Sequence, residues 1–112
     1  MSECNVTATC YLVSHLDPDE YGDDQVWGVH VQLRNALTDP PLWSVGRGEG
    51  RPSRVWTRNG TAVWDEPRHH RYTRMPLEEA LDVAKRVAAA IVVNGLTVEE
   101  MLARQAERKA EA

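Results

Sequence analysis

Phenylalanine is absent from this chain of 112 residues, cysteine occurs twice, lysine twice, and no long apolar run is present. Each shortage closes something off. Without about 18 consecutive apolar residues, no segment reads as a membrane-spanning helix. Cys4 and Cys10 stand six residues apart on what reads as one strand, so they share a face but lie roughly 20 Å apart when extended, beyond disulfide reach. Cys10 reads as a small core residue and Cys4 as an end-of-strand thiol. The opening Met1-Ser2-Glu3-Cys4 has no basic region followed by an apolar stretch, so no secretory signal is read there and cytoplasmic residence is the expectation. With lysine scarce, eleven of the thirteen bases are arginine, which favours planar, bidentate contacts over diffuse attraction.

What is present fits one soluble globular domain over residues 1–112. Apolar residues make up 42% and charged residues 27%, an ordinary balance. A chain of this length buries roughly two thirds of its unfolded surface. The net charge of −4 is unevenly spread. Residues 1–40 carry seven acids against Arg34, a balance of −6. Residues 47–74 carry seven arginines against Glu49, Asp65 and Glu66, a balance of +4. The remainder carries seven acids against five bases, a balance of −2.

At the centre of the basic block lies Arg54-Val-Trp-Thr-Arg-Asn-Gly-Thr-Ala-Val-Trp64, a β-hairpin pattern closed by Asn59-Gly60, the dipeptide suited to a type I′ turn. A two-residue loop sets Arg58 opposite Thr61, Thr57 opposite Ala62, Trp56 opposite Val63 and Val55 opposite Trp64. Alternation then places one tryptophan on each face, so both faces must meet something.

Before the hairpin, residues 6–13 alternate, with Val6, Ala8, Cys10 and Leu12 on one face. Asp17 to Asp24 is an acidic, exposed loop. Residues 26–33 form a second strand with Trp27, Val29, Val31 and Leu33 inward, His30 and Gln32 outward. Pro40-Pro41 closes a loop, Leu42 to Val45 is a short third strand, and 46–52 a glycine-arginine loop. After the hairpin, Asp65 to Met75 reads as irregular. Pro76 suits a helix start with Glu78 and Glu79 at its positive end. Leu77, Ala80, Leu81, Ala84, Val87, Ala88 and Ile91 make a buried stripe, predicting a helix from 77 to about 91. A short extended piece over 91–96 is the alternative at its end, because Ile91-Val92-Val93 is β-branched and Asn94-Gly95 is a stop or turn signal. Thr97 and Glu100 form a capping box, with Leu96 and Met101 placed for a hydrophobic staple. A short second helix follows, frayed from about 104. Strands first and helices last predict α+β: an antiparallel sheet of about four to five strands, the main helix on one face and a short C-terminal helix.

Trp43-Ser-Val-Gly46, Asn59 to Glu66, Leu77 to Leu81 and Val93 to Leu102 together resemble small uncharacterised proteins of actinobacteria and their phages, over about the last 60 residues. The resemblance implies a phage or mobile-element accessory protein and carries over no catalytic residue.

No catalytic, cofactor or metal site is expected. Asp17, Asp19 and Gly22 match part of a calcium loop, but Tyr21 and Gly28 stand where ligands are needed. The four histidines and two cysteines lack zinc spacing. Ser14-His15-Leu16-Asp17 holds triad residue types as sequence neighbours, without a strained elbow. Gly46-Arg-Gly-Glu-Gly-Arg51 leads into a strand, not the helix that a phosphate cradle uses. What remains is a non-enzymatic domain acting by protein–protein contact, a homodimer among the arrangements this allows, with Trp43, Arg54, Trp56, Arg58 and Trp64 as the candidate contact surface. The alternative is nucleic-acid binding, with the arginines tracking phosphates and the tryptophans stacking bases. In the plainest reading, the arginines pair with acids of 17–24, 65–66 and 78–82. No membrane partner and no small-molecule substrate is evident.

Overall fold

A computed structural model describes residues 8–21, 27–47 and 54–111. Cys4, Val6, Gly22 and positions 48–52 of the glycine-arginine loop lie outside the described residues. The elements are β1 (Cys10–Val13), a single helical turn α1 (Pro18–Tyr21), β2 (Val29–Asn35), β3 (Leu42–Gly46), β4 (Arg54–Trp56) and β5 (Ala62–Trp64). A 3-10 turn (Pro67–His69) then runs into α2 (His70–Thr73), followed by α3 (Leu77–Ala90) and α4 (Val98–Glu111). The fold is α+β. The five strands form one antiparallel sheet in the order β1-β2-β3-β4-β5.

Alternation explains the core. Tyr11 pairs with Val31, Val13 with Val29, Leu33 with Trp43 and Val31 with Val45, so these side chains share the face on which α3 lies. Val29, Val31, Val45 and Val83 have at most 1% exposure, and burying each stabilises by about 1.5–3 kcal/mol before entropy is subtracted. The helix contributes Ala80, Val83, Ala84, Val87 and Ala88. Val83 joins the predicted stripe, whereas Leu77 and Leu81 sit at its half-buried margin.

The first strand is turned over relative to expectation. Val13 packs on the core while Cys10 is exposed, because both faces of the segment carry apolar residues and alternation alone does not rank them. His30 does lie on the face of Gln32 and Ser44, opposite α3, but it is buried rather than outward.

The hairpin register also differs. Val55 pairs with Val63, Arg54 with Trp64 and Trp56 with Ala62. The loop has three residues: Thr57 N–H donates to Thr61 O, and Gly60 N–H to Thr57 O at 2.9 Å, with φ of +80° at Gly60. This is a type I turn closed by a glycine bulge, which needs one positive φ rather than two. The one-residue shift puts Trp56 and Trp64 on the same face, with Arg54, and leaves Val55 and Val63 on the other.

The type I′ geometry occurs elsewhere. Asn94 and Gly95 both have positive φ, 52° and 79°, and Val93 and Leu96 exchange backbone hydrogen bonds across them. The extended alternative therefore holds for this piece, and α3 stops at Ala90. The capping box forms: Thr97 N–H donates to Glu100 Oε1 and Glu100 N–H to Thr97 Oγ1. The helix it starts continues to Glu111. Two stretches expected to be irregular hold helical turns. Asp17 caps α1 by accepting from Asp19 N–H. The 67–73 segment is closed by the Thr73 hydroxyl on His69 O and by Arg74 N–H on His70 O.

These turn geometries separate two otherwise similar asparagines. Asn94→Ala is expected to cost about 1–2 kcal/mol, because a Cβ-bearing residue without a short polar side chain is strained at positive φ. Asn59→Ala should stay within about 0.5 kcal/mol, and Gly60→Ala should cost about 1–2 kcal/mol. Urea denaturation of the three variants checks this; equal losses at Asn59 and Asn94 would contradict the assigned turns.

Candidate functional site: an arginine cleft beside the hairpin

β5 ends at Trp64, and the chain then turns, with Glu66 N–H donating to Trp64 O. The turn leaves Asp65 facing two arginines. Its carboxylate, 14% exposed, accepts from Arg74 Nη2 at 2.9 Å and lies 3.5 Å from Arg34 Nη2 and 3.6 Å from His70 Nε2. Arg34 reaches it from β2, where its Nε also donates to Ser44 Oγ on β3. Arg74 Nη2 lies 3.2 Å from His70 Nε2, and since a guanidinium only donates, that ring nitrogen is the acceptor. Arg74 Nη1 is buried and has no acceptor among the described residues.

Arg58, at the hairpin tip, is a second junction. Its Nε meets Glu79 of α3 at 2.7 Å, and its two terminal nitrogens donate to Arg71 O and Arg74 O. Its backbone N–H donates to Tyr72 O, and its O accepts from Arg86. The side chain is about half exposed, so the ion pair itself contributes little and the contacts chiefly fix geometry. Between these junctions lies an open cleft of about 990 Å³, lined by Arg34, Arg58, Arg71, Arg74, His70 and Asp65, with Asn35, Leu42 and Pro67 completing its wall.

The five residues expected to form one contact surface divide. Trp43 is in the core, 7% exposed, and packs against Tyr11 with ring centroids 5.6 Å apart. It leaves the candidate surface because the helix face is where β3 alternation aims it. Trp56 is half-buried against the core. Arg58 is committed to the junction just described. Arg54 and Trp64 stay outside, the guanidinium 4.4 Å from the indole centroid and Trp64 half exposed. Beside them a groove of about 340 Å³ runs between the hairpin tip and the end of α3, lined by Trp56, Val87, Ile91 and Val92 and rimmed by Arg47 and Arg86.

Comparison with protein-family models, curated proteins and solved structures found no match to this chain. The chemistry of its side chains is therefore the guide. Ser14, His15 and Asp17 do not converge: Ser14 Oγ accepts from Leu16 N–H, His15 Nε2 bonds Lys85 O, and Asp17 accepts from Asp19 N–H. Among the described residues no three His, Cys, Asp or Glu side chains gather as a metal site would require. No described helix is long and apolar enough to cross a membrane. The acids of 65–66 and 79 do take up arginines. Among the described residues no ion pair joins Asp17 or Asp19 to the basic block, and Glu20 pairs with Lys109 of α4. Arg34, Arg71, Arg74 and His70 were not singled out from sequence. A signal existed for one of them, since Arg34 is the sole base among seven acids in the first forty residues.

Asp65→Ala would leave Arg34 and Arg74 largely buried without their carboxylate, and a loss of about 2–4 kcal/mol in urea unfolding is expected. Arg68→Ala, which removes an exposed partner of Glu66, should stay within about 0.5 kcal/mol.

Proposed function

We propose that this protein is a non-enzymatic contact module that acts by protein–protein association, with a second copy of the chain as its partner. The observation that carries the reading is Trp64: an indole half exposed on the edge strand β5, held flat beneath Arg54. Tryptophan and arginine are the residue types that anchor interfaces, and a side chain already held in place loses little entropy on docking. The neighbouring apolar groove at Trp56 and Ile91 extends the same face.

Charge supports self-association. Residues 1–40 are acidic and residues 47–74 basic, yet among the described residues Asp17 and Asp19 have no ion pair within the chain. In a two-fold arrangement each acidic segment can face the partner's basic hairpin, as an isologous contact requires. An accessory role of the phage or mobile-element type, which the sequence resemblance suggests, needs no activity beyond such contact. The nucleic-acid reading is less well supported, because Trp43 and Trp56 pack on the core and are not a free stacking platform.

Sedimentation velocity on the full chain is expected to show a reversible dimer forming through the tens of micromolar range at low salt. Trp64→Ala should weaken it by at least about tenfold while leaving the melting temperature within a few degrees. A monomer at every concentration, or a dimer indifferent to Trp64→Ala, would overturn the reading.

A further inference from the structure

The cleft beside Asp65 has chemistry that protein contact through Trp64 does not use. Four guanidinium groups, from Arg34, Arg58, Arg71 and Arg74, line it. Facing them are the carboxylate of Asp65 on the floor and that of Glu79, which touches Arg58 at the rim. Counted over these described side chains, an excess of two positive charges remains, in a chain whose net charge is −4. The floor is built rather than incidental. Arg34 and Arg74 are 17% and 12% exposed and are held by the same carboxylate, and Arg74 Nη1 is buried without an acceptor among the described residues. Arg71, by contrast, is exposed and, among the described residues, its side chain is braced by its neighbour Tyr72, whose hydroxyl accepts from it and whose ring lies 4.7 Å below it.

The geometry points to a binding site for a compact polyanion carrying two or three linked phosphate groups, held by bidentate guanidinium contacts in which the exposed Arg71, paired with no carboxylate among the described residues, is a principal donor. Arginine forks match phosphate oxygens in pairs. The volume of about 990 Å³ suits a small molecule, whose pockets run to about 1,000 Å³. A nucleic-acid strand fits less well. It needs positive charge continuing along its backbone, whereas Glu79 bounds this cleft on one side and Glu66 follows directly on Asp65 at the other.

Calorimetric titration of the full chain at low ionic strength with pyrophosphate, tripolyphosphate, adenosine triphosphate and a single-stranded DNA oligomer tests this. One saturable site is expected, tighter for tripolyphosphate than for pyrophosphate. Arg71→Ala should weaken it by at least about tenfold, and Arg68→Ala should leave it unchanged. Tighter binding of the nucleotide would make a nucleotide the natural source of the phosphates; equal binding would make the phosphate chain alone sufficient. Side-chain resonances of Arg58, Arg71 and Arg74 in the unmutated protein should shift during the same titration, which keeps the test decisive if a variant folds poorly. Absence of saturable binding, equal losses in the two variants, shifts confined to other arginines, or DNA bound tightly while the polyphosphates are not would each overturn the assignment.

Discussion

The outer edge of β3 is shared between two partners, and much of the molecule follows from that division. At its Gly46 end β3 pairs with Val55 of the hairpin; at its Trp43 end the hydrogen bonds go to Met75, in both directions, at 2.7 and 3.0 Å. The segment 72–75 is thus tied to β3 at Met75 and to the hairpin tip at Tyr72, whose carbonyl accepts from Arg58 N–H. Met75 is fully buried, so backbone pairing and core packing reinforce each other at one residue. Pro76 follows at once and launches α3 across the sheet, its carbonyl accepting the first helical hydrogen bond. The same division assembles the cleft. Arginines from β2, the hairpin tip, α2 and the residue that ends it meet only because the 65–75 connection is pinned between strand and hairpin.

Features that depend on neighbours in sequence were legible before the structure. The alternation of β2, the small-residue stripe of α3 and the capping box at Thr97 each needs only a few consecutive residues, and each is present. The two Asn-Gly pairs show where such reasoning stops. Both are compatible with a type I′ turn, but only Asn94-Gly95 adopts it. At Asn59-Gly60 the register that buries Val55 and packs Trp56 against the core requires one more loop residue, and tertiary packing outweighs the local preference. The order of the two faces of β1 was hidden for a related reason. Tyr11 and Val13 are as apolar as Cys10 and Leu12, and only the pairing with Val29 and Val31 decides between them.

The site was less legible than the fold. The basic block around the hairpin could be located, but not which of its arginines would be used up. Arg58 spends its donors on carbonyls and Glu79, and Arg74 goes inward to Asp65, while Arg71 stays in solvent. These outcomes depend on contacts between residues nine to twenty-one positions apart, for which no local pattern exists. The tryptophans illustrate the same limit. Trp43, Trp56 and Trp64 look alike in sequence, yet they end buried, half-buried and half exposed.

The face of α3 turned to the sheet carries alanine at 80, 84 and 88 and valine at 83 and 87, whereas the opposing layer holds Trp27, Trp43 and Met75. Bulk in this core is sorted by layer: the helix supplies little volume, and β3 with the segments flanking the sheet at Trp27 and Met75 supplies most of it. A small-faced helix lies close to its sheet, and its position is set by the rings beneath it rather than by its own side chains. Such a core cannot be altered from one side alone. Enlarging an alanine would lift the whole helix, carrying Glu79 and Arg86 away from the hairpin tip, so the spacing between the cleft and the tryptophan edge is ultimately measured out by the absence of three methylene-bearing side chains.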